Sequence, residues 1–566
     1  MKTVYLLLTI FTIPCFLFAQ DIQESGKKAK SYVSSEYNRN SVTLIGLNFG
    51  ENLSTQINTQ FANLSVPEKF YDNPLQNKIL VPGSARETVS DLLNELDQAE
   101  IAKWLNQNKV GQQILSTWFN RQSDGSFNVD VLKERGLFNA DDNEYIVASA
   151  SKRGESSLMD MGLQLVNQSY IVVFDFINNM TMADYYTQKE VLAEKQIMNG
   201  YRSTSKSYLF KLDFNDSVAA VFFQDYWTNA NDPNKQSKIE AFENTEFSFI
   251  ALSKTNNELS GTQYNPGQTL APEKQKSSEE LIEQMVKTAL ESVLNSIEKQ
   301  NEDFRVKAMV SNVKPIAAKI GKKEGLKFDQ RYFVFENRSR RNGTLYSKRI
   351  GVVKSMKVVD NRQVTAGQTE SSAFYQIAGG KVDNYGMFLE QNSDIGLNVF
   401  LGTTVGGLSG FTGRAEYYIS KAFGGTMAEG KSGKGLTSIK IYAEGAYGTD
   451  TYDEKYDFLR GSVGLSKDFY PLNFLHWGPF VGYGVESTTW ESTEGSISSD
   501  FIEMGARIGV NLAYNIQLIG SLNYYMLMSS DVLDENKEVF IEDFDYKEFF
   551  DDRFGVGVSL GLRIMF

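Results

Sequence analysis

Phe554-Gly555-Val556-Gly557-Val558-Ser559-Leu560-Gly561-Leu562-Arg563-Ile564-Met565-Phe566 sets an apolar residue at every second position, with small or polar residues between them. A period of two is the mark of a strand with one apolar face. Seven segments of the same kind precede it. The first, about 393–405, places Ile395, Leu397, Val399 and Leu401 on one face. The second, about 409–421, places Phe411, Gly413, Ala415, Tyr417 and Ile419 there. The third, about 437–449, has Ile439, Ile441, Ala443, Gly445 and Tyr447, and the fourth, about 456–467, has Leu459, Gly461, Val463 and Leu465. Val481, Tyr483 and Val485 mark the fifth. The sixth runs from Ile502 through Met504, Ala506, Ile508, Val510 and Leu512 to Tyr514. The seventh carries Ile516, Leu518, Gly520, Leu522, Tyr524 and Met526.

These apolar faces carry no Asp, Glu, Lys or Arg. The opposite faces hold Arg414, Glu416, Lys440, Glu444, Arg460, Glu486, Glu503, Arg507 and Arg563. A charge facing lipid from a strand costs about 2–4 kcal/mol at the bilayer midplane. A soluble barrel reverses the arrangement, with charges outside and apolar side chains within. The pattern therefore predicts a transmembrane β-barrel rather than a soluble sandwich. Its interior charge network has both signs in near balance. Tyr447, Tyr514 and Trp477 fall near strand ends, where aromatic girdles form. Eight strands enclose a space that side chains fill, so a water-filled diffusion pore is not expected. An even strand count puts both barrel ends on one side. With the C-terminus in the periplasm, residues 21–392 belong there too, and the loop at about 529–552 is external. That loop carries ten acids against Lys537 and Lys547. Its spacing fails the helix-loop-helix calcium pattern, because the sixth position from Asp534 is Val539 and not Gly. It reads as a solvated acidic loop near lipopolysaccharide.

On its alternation, its strand count and its Phe566 terminus, the segment 393–566 resembles the small OmpA/OmpX-like outer-membrane barrels of Gram-negative bacteria. The resemblance implies outer-membrane lipids and lipopolysaccharide as surroundings. It also implies insertion by the barrel-assembly machinery, with Phe566 as the assembly signal. Nothing in the chain is similar to the peptidoglycan-binding domain of OmpA.

The start of the chain agrees with export. Lys2, an uncharged stretch from Val4 to Phe18 and Ala19-Gln20 form a secretory signal over 1–20, too short to span a bilayer as a helix. Cys15 is the only cysteine, so the mature chain holds no disulfide. A net charge of −13 argues against nucleic acid as a partner. The 45 glycines against 10 prolines suit a β-rich chain.

Residues 301–392 read as a small basic β module. From Phe304 to Arg362 there are sixteen Lys/Arg and few acids. Asn342-Gly343 between Arg331–Phe335 and Arg349–Val353 signals a tight hairpin. The stretch from Gly321-Lys322-Lys323-Glu324-Gly325-Leu326-Lys327 to Arg331-Tyr332-Phe333-Val334-Phe335 resembles the C-terminal β-module of FlgT, which implies association with an outer-membrane complex. The positive charge fits anionic headgroups, an acidic neighbour or plain solvation.

Residues 21–300 read as a periplasmic α/β domain, which makes the whole chain multidomain α+β. Val42–Phe49 and Ser169–Phe174 are strands, the second buried on both faces. Ser84-Ala85-Arg86-Glu87 is a capping box opening a helix with Val89, Leu92, Leu93 and Leu96. Helix continues through Trp104-Leu105 and Ile114-Leu115 to Trp118-Phe119. Tyr208–Phe214 and Ser217–Tyr226 read as a strand pair. A helix from about Ser278 to Lys299 carries one apolar stripe, after a loop at about 265–276.

Chemistry is sparse. His476, the only histidine, sits in a turn beside aromatics and reads as an interface residue at the barrel rim. With one His and no mature Cys, a Ser/His triad or a His/Cys metal site has no basis, and no phosphate loop, dinucleotide or metalloprotease motif occurs. Asp141-Asp142 reads as a helix cap. The expectation is a non-enzyme with no cofactor and no metal. It is a barrel anchoring a periplasmic domain in an envelope structural or assembly role, with a periplasmic protein partner. The alternative is a narrow gated transport or secretion-associated component.

Overall fold

The computed structural model describes residues 30–31, 39–82, 95–139, 162–268, 274–363, 370–383, 386–392, 394–422, 437–490, 495–534 and 536–566. The signal segment, the Ser84–Glu87 box and Asp141-Asp142 lie outside them. Two compact units form: 37–305, and a second built from 306–363 and 370–566 together with the N-terminal segment. A two-residue strand of that segment, β1 (Lys30–Ser31), belongs to the second unit.

The 37–305 unit is a mixed α/β sheet covered on both faces. Strand β2 (Ser41–Leu47) runs parallel to the short β3 (Tyr71–Asp72) and β4 (Ile79–Leu80) on one side and to β5 (Ser169–Thr181) on the other. β6 (Met198–Leu212) and β7 (Phe249–Tyr264) extend the sheet antiparallel from β5. Successive residues of β5 point to opposite faces, and both faces are buried. Tyr170, Val172 and Phe174 join Val42 and Leu44 under helices α1 (Ser54–Ala62) and α8 (Ser278–Gln300). Ile171 and Val173 join Ile45 and Leu47 under α2 (Gln98–Gln107) and α3 (Val110–Trp118). Among the described residues this unit has four further α-helices: α4 (Asp130–Asn139), α5 (Met182–Gln188), α6 (Asp216–Val221) and α7 (Lys235–Asn244). α8 starts with a capping box between Ser277 and Glu280 and buries one stripe from Leu281 to Ile297.

The strand pair expected at 208–226 is half right. Tyr208–Leu212 lies in β6, but 216–226 is helical, α6 followed by a π-turn over Phe222–Tyr226. Asn215 accepts the N–H groups of Ser217 and Val218 and caps the turn. Val218, Ala219, Phe222, Phe223 and Tyr226 then meet the core at helical spacing. The true partner of β6 is β7, whose alternation is mostly polar.

The second unit opens with a six-stranded closed barrel. Its strands are β8 (Lys307–Val313), β9 (Ile316–Ala318), β10 (Arg331–Ser339), β11 (Leu345–Lys357), β12 (Ser372–Gly379) and β13 (Met387–Gln391), ordered β11-β10-β13-β8-β9-β12 and closed by β12 on β11. β1 adds to β11 at Tyr346 and Ser347.

The C-terminal barrel is an eight-stranded antiparallel meander. Its strands are β14 (Leu397–Gly406), β15 (Gly410–Tyr418), β16 (Ile439–Thr451), β17 (Lys455–Lys467), β19 (Leu475–Trp490), β20 (Ser496–Asn511), β21 (Ile516–Leu533) and β23 (Gly555–Met565). β14 pairs with β23 from Asn398–Met565 to Gly406–Gly557, which closes the cylinder. Two short strands lie outside the ring: β18 (Phe469–Leu472) folds against β19, and β22 (Val539–Ile541) against β21. Between β15 and β16 lies a one-turn helix, α9 (Ile419–Ala422), and before β23 another, α10 (Tyr546–Phe549).

Period two decides which way each side chain points. Phe411, Ile441, Leu459, Val463, Val481, Tyr483, Ile508, Leu522, Val558 and Leu560 are exposed on the outside. Arg414, Glu416, Lys440, Glu444, Arg460, Glu486, Glu503, Arg507 and Arg563 are buried within. Trp477 and Tyr447 are exposed near strand ends, and Trp477 stacks on Phe469 at 4.9 Å. Tyr514 departs from the girdle expectation: its hydroxyl donates to the Arg349 carbonyl of the six-stranded module at 3.0 Å.

Candidate functional site

The nine inward charges form three groups stacked along the barrel. The first and the last are completed by charged residues that lie just beyond the regular strands.

Nearest the end where the barrel begins and finishes, Lys440 Nζ lies 2.9 Å from Glu416 and 2.6 Å from Asp468. Arg507 pairs with Glu416 and reaches Asp468 at 3.1 Å. Arg563 Nη1 lies 3.0 Å from Asp468 and 3.4 Å from Glu416, and its Nε donates to Gln517 at 2.7 Å. Three cations thus share two carboxylates. Asp468 follows the last regular residue of β17 and keeps the parity of the inward Arg460, Ser462 and Ser466.

His476 completes this group. It is buried inside the barrel, which corrects its expected place as an interface residue at the rim. Its Nε2 is 2.9 Å from Arg563 Nη2, and its ring lies 5.5 Å from that of Tyr470. A guanidinium can only donate, so Nε2 accepts and the imidazole is the neutral Nδ1–H tautomer. The turn expected from the sequence is real, but His476 is the second residue of β19 and falls on the inward parity.

In the middle, Arg414 Nε donates to Glu444 at 2.7 Å and Arg460 Nη2 to the other oxygen of Glu444 at 3.0 Å. Glu503 accepts Tyr442 Oη at 2.6 Å and Ser462 Oγ at 2.9 Å. The Arg414 guanidinium lies over the Tyr442 ring at 4.2 Å. Glycine makes this fit: a methyl group on Gly464 or Gly482 would run into Tyr442.

At the far end Glu486, across the ladder from Arg460, pairs with Arg553 Nη2 at 2.6 Å. Arg553 lies just before β23, beside the loop expected to be acidic and solvated. Part of that loop turns inward. Tyr546 of α10 is buried, its hydroxyl 2.9 Å from Thr488 Oγ1 and 3.3 Å from Glu486. Tyr546, Phe550 and Phe554 pack with Leu408, Tyr456, Phe458, Ile497, Phe501 and Tyr525 into an apolar cluster that fills the mouth. Among the described residues the interior therefore buries six cations and five carboxylates. Among the described residues no group of three or more His, Cys, Asp or Glu is arranged to hold a metal.

The six-stranded module covers the opposite opening. Asp329, fully buried, accepts the Ser438 backbone N–H at 3.0 and 3.1 Å, Ser420 Oγ at 2.7 Å and Tyr375 Oη at 2.6 Å. Asn511 donates to the Ile377 carbonyl at 2.7 Å and Asn473 to that of Gly379 at 2.6 Å. Asp394, on the connector, is flanked by Lys354 at 3.0 Å, Arg331 at 3.8 Å and Lys421. Lys354 also sits over the inward Tyr418 ring at 3.8 Å. Phe566 contributes at the same end by donating its N–H to the Leu397 carbonyl at 2.8 Å.

No family model matches the chain, and no curated protein matches it, so the FlgT resemblance gains no support. Solved structures do match the C-terminal barrel. The N-terminal β-barrel domain of Pseudomonas aeruginosa OprF is 11% identical, with 31% of this chain and 100% of that one covered and a TM-score of 0.20. Ail, the attachment invasion locus protein of Yersinia pestis, is 14% identical over 30% of this chain and 96% of its own, TM-score 0.18. A major outer membrane protein from Thermus thermophilus is 16% identical over 30% and 98%, TM-score 0.20. The eight-stranded closure is fixed by the strand order and register of this chain itself.

Proposed function

We propose that this chain is an integral outer-membrane protein whose closed barrel anchors the 37–305 unit at the periplasmic side, in a structural or assembly role without catalysis. One observation carries the reading. The barrel is apolar outside and filled inside at every level, by the module, by two layers of ion pairs and by the Tyr546 cluster. An apolar belt around a cylinder is stable in acyl chains and costly in water. A filled interior leaves no continuous water path, which favours an anchor over a pore. The barrel-assembly machinery, outer-membrane lipids and lipopolysaccharide are the partners this placement entails, and the tethered α/β unit is the part free to engage a periplasmic protein.

Extraction and planar-bilayer recording test the proposal together. The protein is expected to leave membranes only with detergent and to give no steady conductance. Release in a soluble periplasmic fraction would overturn the membrane assignment. A steady open current would replace the anchor with the gated-transport reading.

A further inference from the structure

The hairpin of β10 and β11 carries more positive charge than its ion pairs among the described residues take up. From Asn337 to Val359 the sequence holds seven Lys/Arg and no Asp or Glu. Arg338 is satisfied by Glu336 at 2.6 Å, and Lys354 by Asp394. Arg340, Arg341 and Lys348 are exposed and have no ion pair among the described residues. Leu345, opposite Ser339 at the same tip, is 49% exposed.

The base of this hairpin is fastened to the rim of the barrel. Tyr514 donates to the Arg349 carbonyl, and the Arg349 guanidinium lies 5.3 Å from the Tyr514 ring. Two residues earlier in that rim turn, Leu512 is 60% exposed at the end of the outward apolar row. The hairpin therefore leaves the barrel beside its last lipid-facing residue. Arg349 and Leu345 fall on the same face of β11, which is the face that meets the rim.

We propose that this hairpin is a lipid-binding arm that seats Arg340, Arg341 and Lys348 on anionic phospholipid headgroups, with Leu345 at the acyl boundary. Clustered Lys and Arg beside a membrane-spanning element are attracted to an anionic surface within about a Debye length, and long side chains with apolar stems suit that boundary. The inference rests on the membrane reading above and deepens it by naming a lipid class and the residues that hold it.

The test uses the full mature chain with Thr344→Cys carrying an environment-sensitive dye, reconstituted into nanodiscs. One set is phosphatidylcholine alone and the other includes phosphatidylglycerol. Acrylamide quenching of the dye should fall severalfold with the anionic lipid, because clustered cations are drawn to an anionic surface. It should recover at high salt, and also in R340E/R341E/K348E, which alters only the exposed tip. Equal quenching in the two lipids, or protection that survives the charge reversal, would overturn the lipid arm and leave the anchor intact. Failure to enter either nanodisc would instead overturn the membrane reading beneath it.

Discussion

Asp329, buried in the six-stranded module, takes the backbone N–H of Ser438 at the barrel rim on both carboxylate oxygens, at 3.0 and 3.1 Å. One side chain thereby joins two separately closed barrels. Asp329→Ala leaves that N–H and the hydroxyls of Ser420 and Tyr375 without their acceptor. The expected cost is about 2 kcal/mol, typical of hydrogen bonds to a charged group. Limited proteolysis should cut the module earlier while the eight-stranded barrel stays resistant.

Asp468→Asn keeps the shape of the side chain and removes one of the two carboxylates shared by Lys440, Arg507 and Arg563. Breaking a buried pair by neutralising one partner costs about 3–5 kcal/mol. The temperature at which the folded band shifts on a semi-native gel should drop markedly. The same variant should not raise conductance, because the middle and far layers stay in place.

Tyr546→Ala empties the centre of the far-mouth cluster and strips a hydrogen bond from Glu486. Large-to-small changes of this kind cost about 3–5 kcal/mol. Urea unfolding in lipid should report the loss. Bilayer recordings should stay silent, since Arg414, Arg460, Glu444 and Glu503 still block the path.

Val463 faces outward halfway along β17, whereas Leu472 lies in β18 beyond the ring. Val463→Arg should lose about 2–4 kcal/mol of barrel stability in lipid, and Leu472→Arg no more than about 1 kcal/mol, by the depth dependence of lipid-facing charge. Equal penalties would count against a bilayer around this cylinder.

Glu243 joins α7 to α3 through Lys109 at 3.0 Å and through Arg121. Burial pushes its carboxyl up, but hydrogen bonds and charge from Arg121 and Lys109 outweigh this and hold it below the usual glutamate range. A carboxyl lowered on folding stabilises above its unfolded pKa, and that contribution is lost as pH falls below about 4.5. Glu243→Gln should remove that acid dependence at a cost of under about 1 kcal/mol, as for a partly exposed pair. Tryptophan fluorescence of the full chain, against pH, provides the measurement.

Much of the C-terminal barrel is legible in the sequence because its signal is local. A residue's parity along a strand decides whether it faces outward or into the interior, so the nine inward charges can be named from the sequence. Their partners cannot. Asp468 and Arg553 sit just beyond the regular strands, at a strand junction and at a loop end, where no apolar alternation marks a face. His476 escapes for the same reason, since its parity begins only at Leu475. The segment 216–226 misleads because Phe222, Phe223, Tyr226 and Trp227 look like strand residues until Asn215 caps the helix. β7 gives little signal because its exposed edge is polar. The junction at Asp329 joins positions more than a hundred residues apart, and no period carries that.

Arg563 belongs to the last strand, yet Glu416 and Asp468 come from the second strand and from the junction after the fourth. Until β23 meets β14 those carboxylates lack one of the three cations they share. Sealing the seam and completing this ion-pair group are thus a single event.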